Sequence, residues 1–272
     1  MEWKNILRGM AMGASDIIPG VSGGTVALVL GIYYRLIEAI NLLFSRRWKE
    51  QIIFFIPLGL GILLAIFSLS NLLEWLLHEY PEPTFAFFLG LILGTIPFLL
   101  KEADFSNTFY MKHYLILAAA AAIVISSGVL QGDKEGPVMQ SLGTSDFVLL
   151  FFSGWLASSA MILPGISGSF VLLIIGVYPT VLSAVSNLNL PVIVVVGSGV
   201  VIGILVMSKF LHYLLRNHIT GTYSVMTGFL IGSLFVIFPG IADSALIVLY
   251  SVITFAGGLA IAIYLGKVDR TS

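Results

Sequence analysis

Two apolar regions of this chain, residues 6–44 and 151–188, are each interrupted by a knot of proline, glycine and serine. The knots read Pro19-Gly20-Val21-Ser22-Gly23-Gly24-Thr25 and Pro164-Gly165-Ile166-Ser167-Gly168-Ser169. They are copies of one another: a slide of 145 residues lays 19–41 on 164–186 without a gap, and most mismatches exchange one aliphatic side chain for another. Gly9 falls on Gly154 at the same offset. After a three-residue change of offset, Gly61 meets Gly203, Gly90 meets Gly232 and Pro97 meets Pro239. The chain therefore reads as one domain over 1–272 made of two repeats, about 1–130 and about 146–266, joined by a loop at 131–145.

The surroundings of the knots say what kind of domain this is. Charged residues make up 10% of the chain and hydrophobic ones 58%, against about 25% charged in a soluble domain. Six segments approach the roughly 20 apolar residues that cross a bilayer: 52–77, 84–100, 114–130, 191–215, 223–238 and 245–265. The expected fold is an all-α polytopic membrane protein. Each repeat holds one re-entrant helical hairpin, with the knot at its tip, and three transmembrane helices. There are no cysteines, the four histidines lack metal-ligand spacing, and a net charge of −1 gives no reason to expect nucleic acid. No cofactor is expected.

Lysines and arginines set the orientation, because cytoplasmic loops collect them. With hairpins that enter and leave on one side, Lys4, Arg8, Arg35, Arg46, Arg47, Lys49, Lys101, Lys112, Lys209, Arg216, Lys267 and Arg270 share a side, and Lys134 stands opposite. The basic side is then cytoplasmic and carries both termini. An odd number of spans per repeat makes the repeats inverted, a recurrent plan among transporters with broken helices at mid-membrane.

Proline ends the first arm of each hairpin, since it lacks an N–H. The second arm then starts at a serine suited to cap a helix. Ser22 would leave the N–H groups of Gly23, Gly24 and Thr25 free, and Ser167 those of Gly168, Ser169 and Phe170. Such an N-terminus attracts anions. An arm over 23–34 would be about 18 Å long, so tips from opposite faces would meet near mid-membrane. Close helix packing through small residues is the plainer account of the same letters.

Asp16, three residues before Pro19, falls on Met161 of the second repeat, so the duplicated scaffold has no need of it. An ionisable group at depth points to function, here proton or cation coupling; a local cap on the turn is the alternative. Arg8 is either a partner for Asp16 or the substrate, or a cytoplasmic anchor. Arg35 and Glu38 lie on one polar face, which fits an interfacial amphipathic helix or the lining of a cytoplasmic mouth.

The strings Arg8-Gly9, Met12-Gly13, Ala14-Ser15-Asp16, Pro19 to Thr25 and Gly31-Ile32-Tyr33 resemble the signature of the bacterial polyprenyl-phosphate transporter family. Pro164 to Ser169, with Gly176-Val177-Tyr178, resembles its second motif, and the resemblance covers essentially the whole chain. It implies a flippase of the bacterial cytoplasmic membrane that returns undecaprenyl phosphate, the carrier lipid of cell-wall assembly, to the inner leaflet. It also implies that Ser22, Gly23, Gly24, Thr25, Ser167, Gly168 and Ser169 hold the phosphate, with Arg8 as a further substrate-binding residue and Asp16 as the coupling group. Two rivals stand beside it. A transporter or channel for a small anion would use the same tips. A membrane polyprenyl-pyrophosphate phosphatase shares inverted hairpins, but its tip serine is followed by arginine. Here Gly23 and Gly168 follow instead, and little else would neutralise the charge of phosphoryl transfer.

Overall fold

The computed structural model describes residues 3–17, 21–43, 45–130, 138–139, 142–240, 242 and 244–268. Pro19 and Gly20, which should break the first hairpin, lie outside the described residues, as do Lys134, Asp243 and most of the 131–145 loop. Every regular element among the described residues is a helix, and none is a strand. In chain order the first half comprises α1 (Lys4–Ile17), α2 (Gly23–Val29), α3 (Tyr33–Leu42), α4 (Trp48–Glu79), α5 (Pro81–Glu102), α6 (Phe105–Thr108) and α7 (Met111–Leu130). The second comprises α8 (Thr144–Ile162), α9 (Gly168–Ile175), α10 (Tyr178–Ser186), α11 (Leu190–Asn217), α12 (Ile219–Val236) and α13 (Ala245–Val268).

Seven of the described helices, α4, α5, α7, α8, α11, α12 and α13, are long and apolar enough to cross a bilayer. The chain is a multi-pass membrane protein. Phe67, Val129, Phe235 and Tyr264 are among many large apolar side chains on its outer surface, where lipid replaces water as solvent. Six of the seven spans fall on the six segments expected from composition. The seventh, α8, is the first arm of the second hairpin and continues upstream of 151 to Thr144, so two residues of the expected loop are already helical.

The second arms are shorter than expected. α2 ends at Val29, not at Tyr34, because Gly31 turns left-handed at φ 66° and the following helix leaves at 119°. α9 ends the same way at Gly176, φ 84°, and α10 leaves at 113°. A left-handed residue stops a helix, and glycine adopts it without a Cβ penalty. At 1.5 Å per residue α2 is about 10 Å long rather than about 18 Å.

Close packing follows glycine. A Cβ on Gly90 of α5 would strike Phe255 O of α13, and one on Gly94 would meet Ala262 Cβ at 2.7 Å. A Cβ on Gly228 of α12 would strike Leu117 O of α7, and one on Gly232 would meet Val124 Cβ at 2.7 Å. The residue numbers rise together, so α5 runs parallel to α13 and α7 parallel to α12. Likewise Gly9 of α1 abuts Leu58 of α4, and Gly154 of α8 abuts Val196 of α11. Each contact in one half has a counterpart in the other at an offset of 138 beyond the hairpins: 90 with 228, 117 with 255, 61 with 199. The sequence match at 142 (Gly61 with Gly203, Gly90 with Gly232) is thus one helical turn out. Glycines spaced four apart in α5 and α12 make a one-turn slip look like a match.

Candidate functional site

The hairpins meet at the middle of the fold. Ser22 caps α2: its Oγ accepts from the Gly24 N–H at 3.1 Å and donates to Met161 O, at the end of α8, at 3.2 Å. Tyr33 donates to Ile162 O at 2.9 Å, and the Gly165 N–H donates to Thr25 Oγ1 at 2.9 Å. The last carbonyls of α8 have no continuing helix to satisfy them, and hydroxyls of the other hairpin do so. Three bonds, from Ser22 and Thr25 at the start of α2 and from Tyr33 at the start of α3, therefore tie the first hairpin to the break of the second. Ser22 and Thr25 are 2% exposed and Tyr33 3%.

The two tips differ in what occupies their donors. At the first, the Gly23 N–H donates to Asp16 Oδ1 at 2.7 Å, the Gly24 N–H to Ser22 Oγ and the Thr25 N–H to Ser22 O at 2.9 Å. The expectation that Ser22 leaves all three free is corrected: an aspartate from the preceding arm occupies the place of an anion. At the second tip Met161 stands where Asp16 would be and cannot accept. Ser167 Oγ turns to Ser169 Oγ at 2.8 Å and makes no cap bond. The N–H groups of Gly168, Ser169 and Phe170 find no acceptor among the described residues.

Access differs too. α2 is enclosed, touching α1, α3, α5, α8 and α13, whereas no residue of α9 is buried. A cavity of about 280 Å³ opens on the second tip, lined by Gly165, Ile166, Ser167, Ser169 and Phe170 and walled by Ser127, Ser233 and Phe238. The first half has its counterpart, about 300 Å³, against Leu28, Thr95, Leu99 and Ala262 where the other has Leu173, Ser233, Ile237 and Val124. This one stops at the Gly31 bend, short of Ser22 to Thr25. Its polar wall holds Tyr34, whose hydroxyl meets Tyr223 Oη at 2.8 Å, and Glu102.

The other candidates are placed apart from the tips. Arg8 donates to Asn5 Oδ1 at 3.0 Å; it lies two turns, about 12 Å, before Asp16 along α1. Arg35 donates to Gln51 Oε1 at 2.7 Å, pairs with Glu38 at 3.6 Å and lies over the Phe54 ring. Arg35 and Glu38 thus serve the α3–α4 contact, and the cavity at that bend is lined by Tyr34 and Glu102 instead. Tyr34 and Tyr223 were not foreseen. One weak signal existed: Tyr223 is a phenol where the first half has Phe85.

The sequence profile of the VCA0040-like, undecaprenyl phosphate translocase-like family matches residues 12–252. The chain is 44% identical over 274 residues to a polyprenyl-phosphate transporter of Staphylococcus aureus (strain NCTC 8325 / PS 47), an alignment covering 98% of this chain and 97% of that one. It is 38% identical over 246 residues to a polyprenyl-phosphate transporter of Vibrio cholerae serotype O1 (strain ATCC 39315 / El Tor Inaba N16961), covering 86% and 76%. No solved structure matches it.

Proposed function

The chain belongs to the undecaprenyl phosphate translocase-like family, and on that premise we propose that it returns polyprenyl phosphate from the outer to the cytoplasmic leaflet, its headgroup passing between two hairpin tips. It is a transporter and not an enzyme. The observation that carries the proposal is the pair of unlike tips: one with its donors filled by Asp16 and Ser22, the other with N–H groups that find no acceptor among the described residues, beside a cavity lined by Ser167, Ser169 and Phe170.

The free tip suits a phosphate. Backbone N–H groups at the start of a helix, with hydroxyls beside them, bind an anion without adding a cation. Held only by dipoles, the headgroup can also leave, which tight pairing to arginine would hinder.

The path needs inverted halves, and the packing registers support that reading. Successive spans run in opposite directions, so α4, α5 and α7 run up, down and up. α12 is parallel to α7 and α13 to α5; α11, joined to α12 by a short connection at His218, then runs opposite to α4. With the basic ends of α4 and α11 cytoplasmic, both termini are cytoplasmic and the cavity at Ser167 and Ser169 faces outward. Such an arrangement suits loading from the outer leaflet. Releasing Asp16 from Gly23 while closing the second tip would produce the inward state, so Asp16 couples a proton or cation to the exchange.

The test is transport of a fluorescent polyprenyl phosphate in proteoliposomes. Wild type should move the phosphate and not the corresponding alcohol, and Ser167→Ala/Ser169→Ala should slow transport by tenfold or more. Equal handling of a small anion and the lipid would replace this reading with a solute pathway.

A further inference from the structure

Besides the two cavities at the hairpins, the fold contains a second pair of related spaces. One, of about 890 Å³, lies between the start of α7, the end of α11 and the first turns of α12. The other, of about 590 Å³, lies between the start of α13, the end of α4 and the first turns of α5. They occupy equivalent places in the two halves: Leu211, Leu214 and Thr222 of the larger stand where Leu73, Leu76 and Thr84 of the smaller do.

Their mouths carry different chemistry. The larger groove has Lys112 and His218 at positions where the smaller has Tyr250 and Tyr80. His113 adds a second imidazole; its Nδ1 accepts the Tyr110 N–H at 3.1 Å, which leaves Nε2 as the nitrogen that carries hydrogen. Asn217 and Asn107 complete the polar rim. Behind this rim the groove is apolar, and it ends at Leu163 and Phe229. Phe229 is the residue against which Gly165 packs, and the Gly165 N–H is the group held by Thr25. One end of the groove is therefore basic and open, and the other abuts the junction of the two hairpins.

A cationic mouth on a long apolar slot suits an amphiphile with an anionic head and a hydrocarbon tail. A general excess of lysine on the cytoplasmic side explains a cation at this level. It does not explain why Lys112 stands with two imidazoles at the rim of a groove that leads to the hairpin junction, or why the equivalent groove is smaller in the other half. We propose that this groove is a second site for the lipid phosphate, used on the cytoplasmic side. Lys112 and His218 hold the headgroup there, and the apolar wall of Phe210, Val225 and Phe229 takes the first isoprene units. The inference rests on the polyprenyl-phosphate reading above and adds to it a place where the lipid resides after leaving the tips.

The test is photolabelling of the full chain in phosphatidylethanolamine nanodiscs, using geranylgeranyl phosphate with a diazirine on its first isoprene. Labelled peptides from α11 and α12 should appear, competed by unlabelled prenyl phosphate and not by phosphatidylglycerol. Lys112→Gln with His218→Gln should lower that label at least fivefold, leave label on the α9 peptide containing Ser169 unchanged, and be largely reversed when position 112 is instead Lys112→Arg. Equal competition by phosphatidylglycerol would identify an ordinary membrane lipid and overturn the proposal. So would groove label indifferent to the charge changes, or label at Ser169 with none in the groove. If wild type neither labels anywhere nor transports the phosphate, the substrate reading itself falls, and this site with it.

Discussion

Asp16 fills with its own oxygen the position that a bound phosphate would take at the first tip. A charged acceptor on a backbone N–H is worth about 1.5–3 kcal/mol, so Asp16 helps to hold the first tip shut; in the coupling proposed above, a ligand or a proton would take its place. Two substitutions separate the roles. Asp16→Asn keeps an acceptor for Gly23 and loses the charge; it should fold as wild type and transport without responding to a pH gradient. Asp16→Ala loses both and should also unfold several degrees lower in a thermal melt. An Asp16→Asn protein that still responds to the gradient would leave Asp16 as a cap only. That Asp16 sets the two repeats apart was legible in the sequence, because Met161 stands in its place in the second repeat. That it would consume the donors of the first tip was not, since a contact across a chain break depends on how the arm before the break is aimed. The bonds from Ser22, Tyr33 and Thr25 to residues 161–165 were hidden for the same reason.

Among elements, helix pairs are set by where backbone meets backbone. In hydrocarbon, packing replaces the hydrophobic effect as the force between helices, and glycine lets the axes approach. Adjacent glycines of α13 provide a controlled contrast. A Cβ on Gly258 would strike Phe87 O of α5, while one on Gly257 would meet nothing within 4 Å. Gly258→Ala should cost about 1–3 kcal/mol and lower the melting temperature in detergent. Gly257→Ala should be neutral or raise it, since alanine is better than glycine in a helix by up to about 1 kcal/mol. A result in the other order would mean that α13 does not face α5 with this register. The spans were legible from their length and apolarity, and their ends fell close to the expected segments. The register between halves was misread by a turn, because glycine spacing repeats every four residues along the same helices that pack. The Gly31 and Gly176 bends were also missed: both glycines were visible, but a glycine inside an apolar run does not announce which way the next helix leaves.

For the whole molecule, the unlike tips predict unlike exposure. The chain contains no cysteine, so single thiols can be introduced without background. Ser169→Cys should react rapidly with a membrane-impermeant maleimide added outside intact cells, and Ser22→Cys should be protected from both sides. Equal reactivity would mean that the two tips are open together. The presence of two related halves could be read from the knots alone. Their mutual dependence could not, for it lies in the pairing: α5 packs on α13 and α7 on α12, each across the boundary between halves. Biosynthesis inherits that arrangement. A ribosome finishes α7 roughly ninety residues before it begins α12, and in that interval the face of α7 bearing Leu117, Ala121 and Val124 waits in the bilayer without the helix it is shaped to receive. A nascent chain cut after the first half would carry that unfilled face into the membrane, where quality-control proteases should recognise it. The two halves can be assembled from separate genes only if both are inserted together.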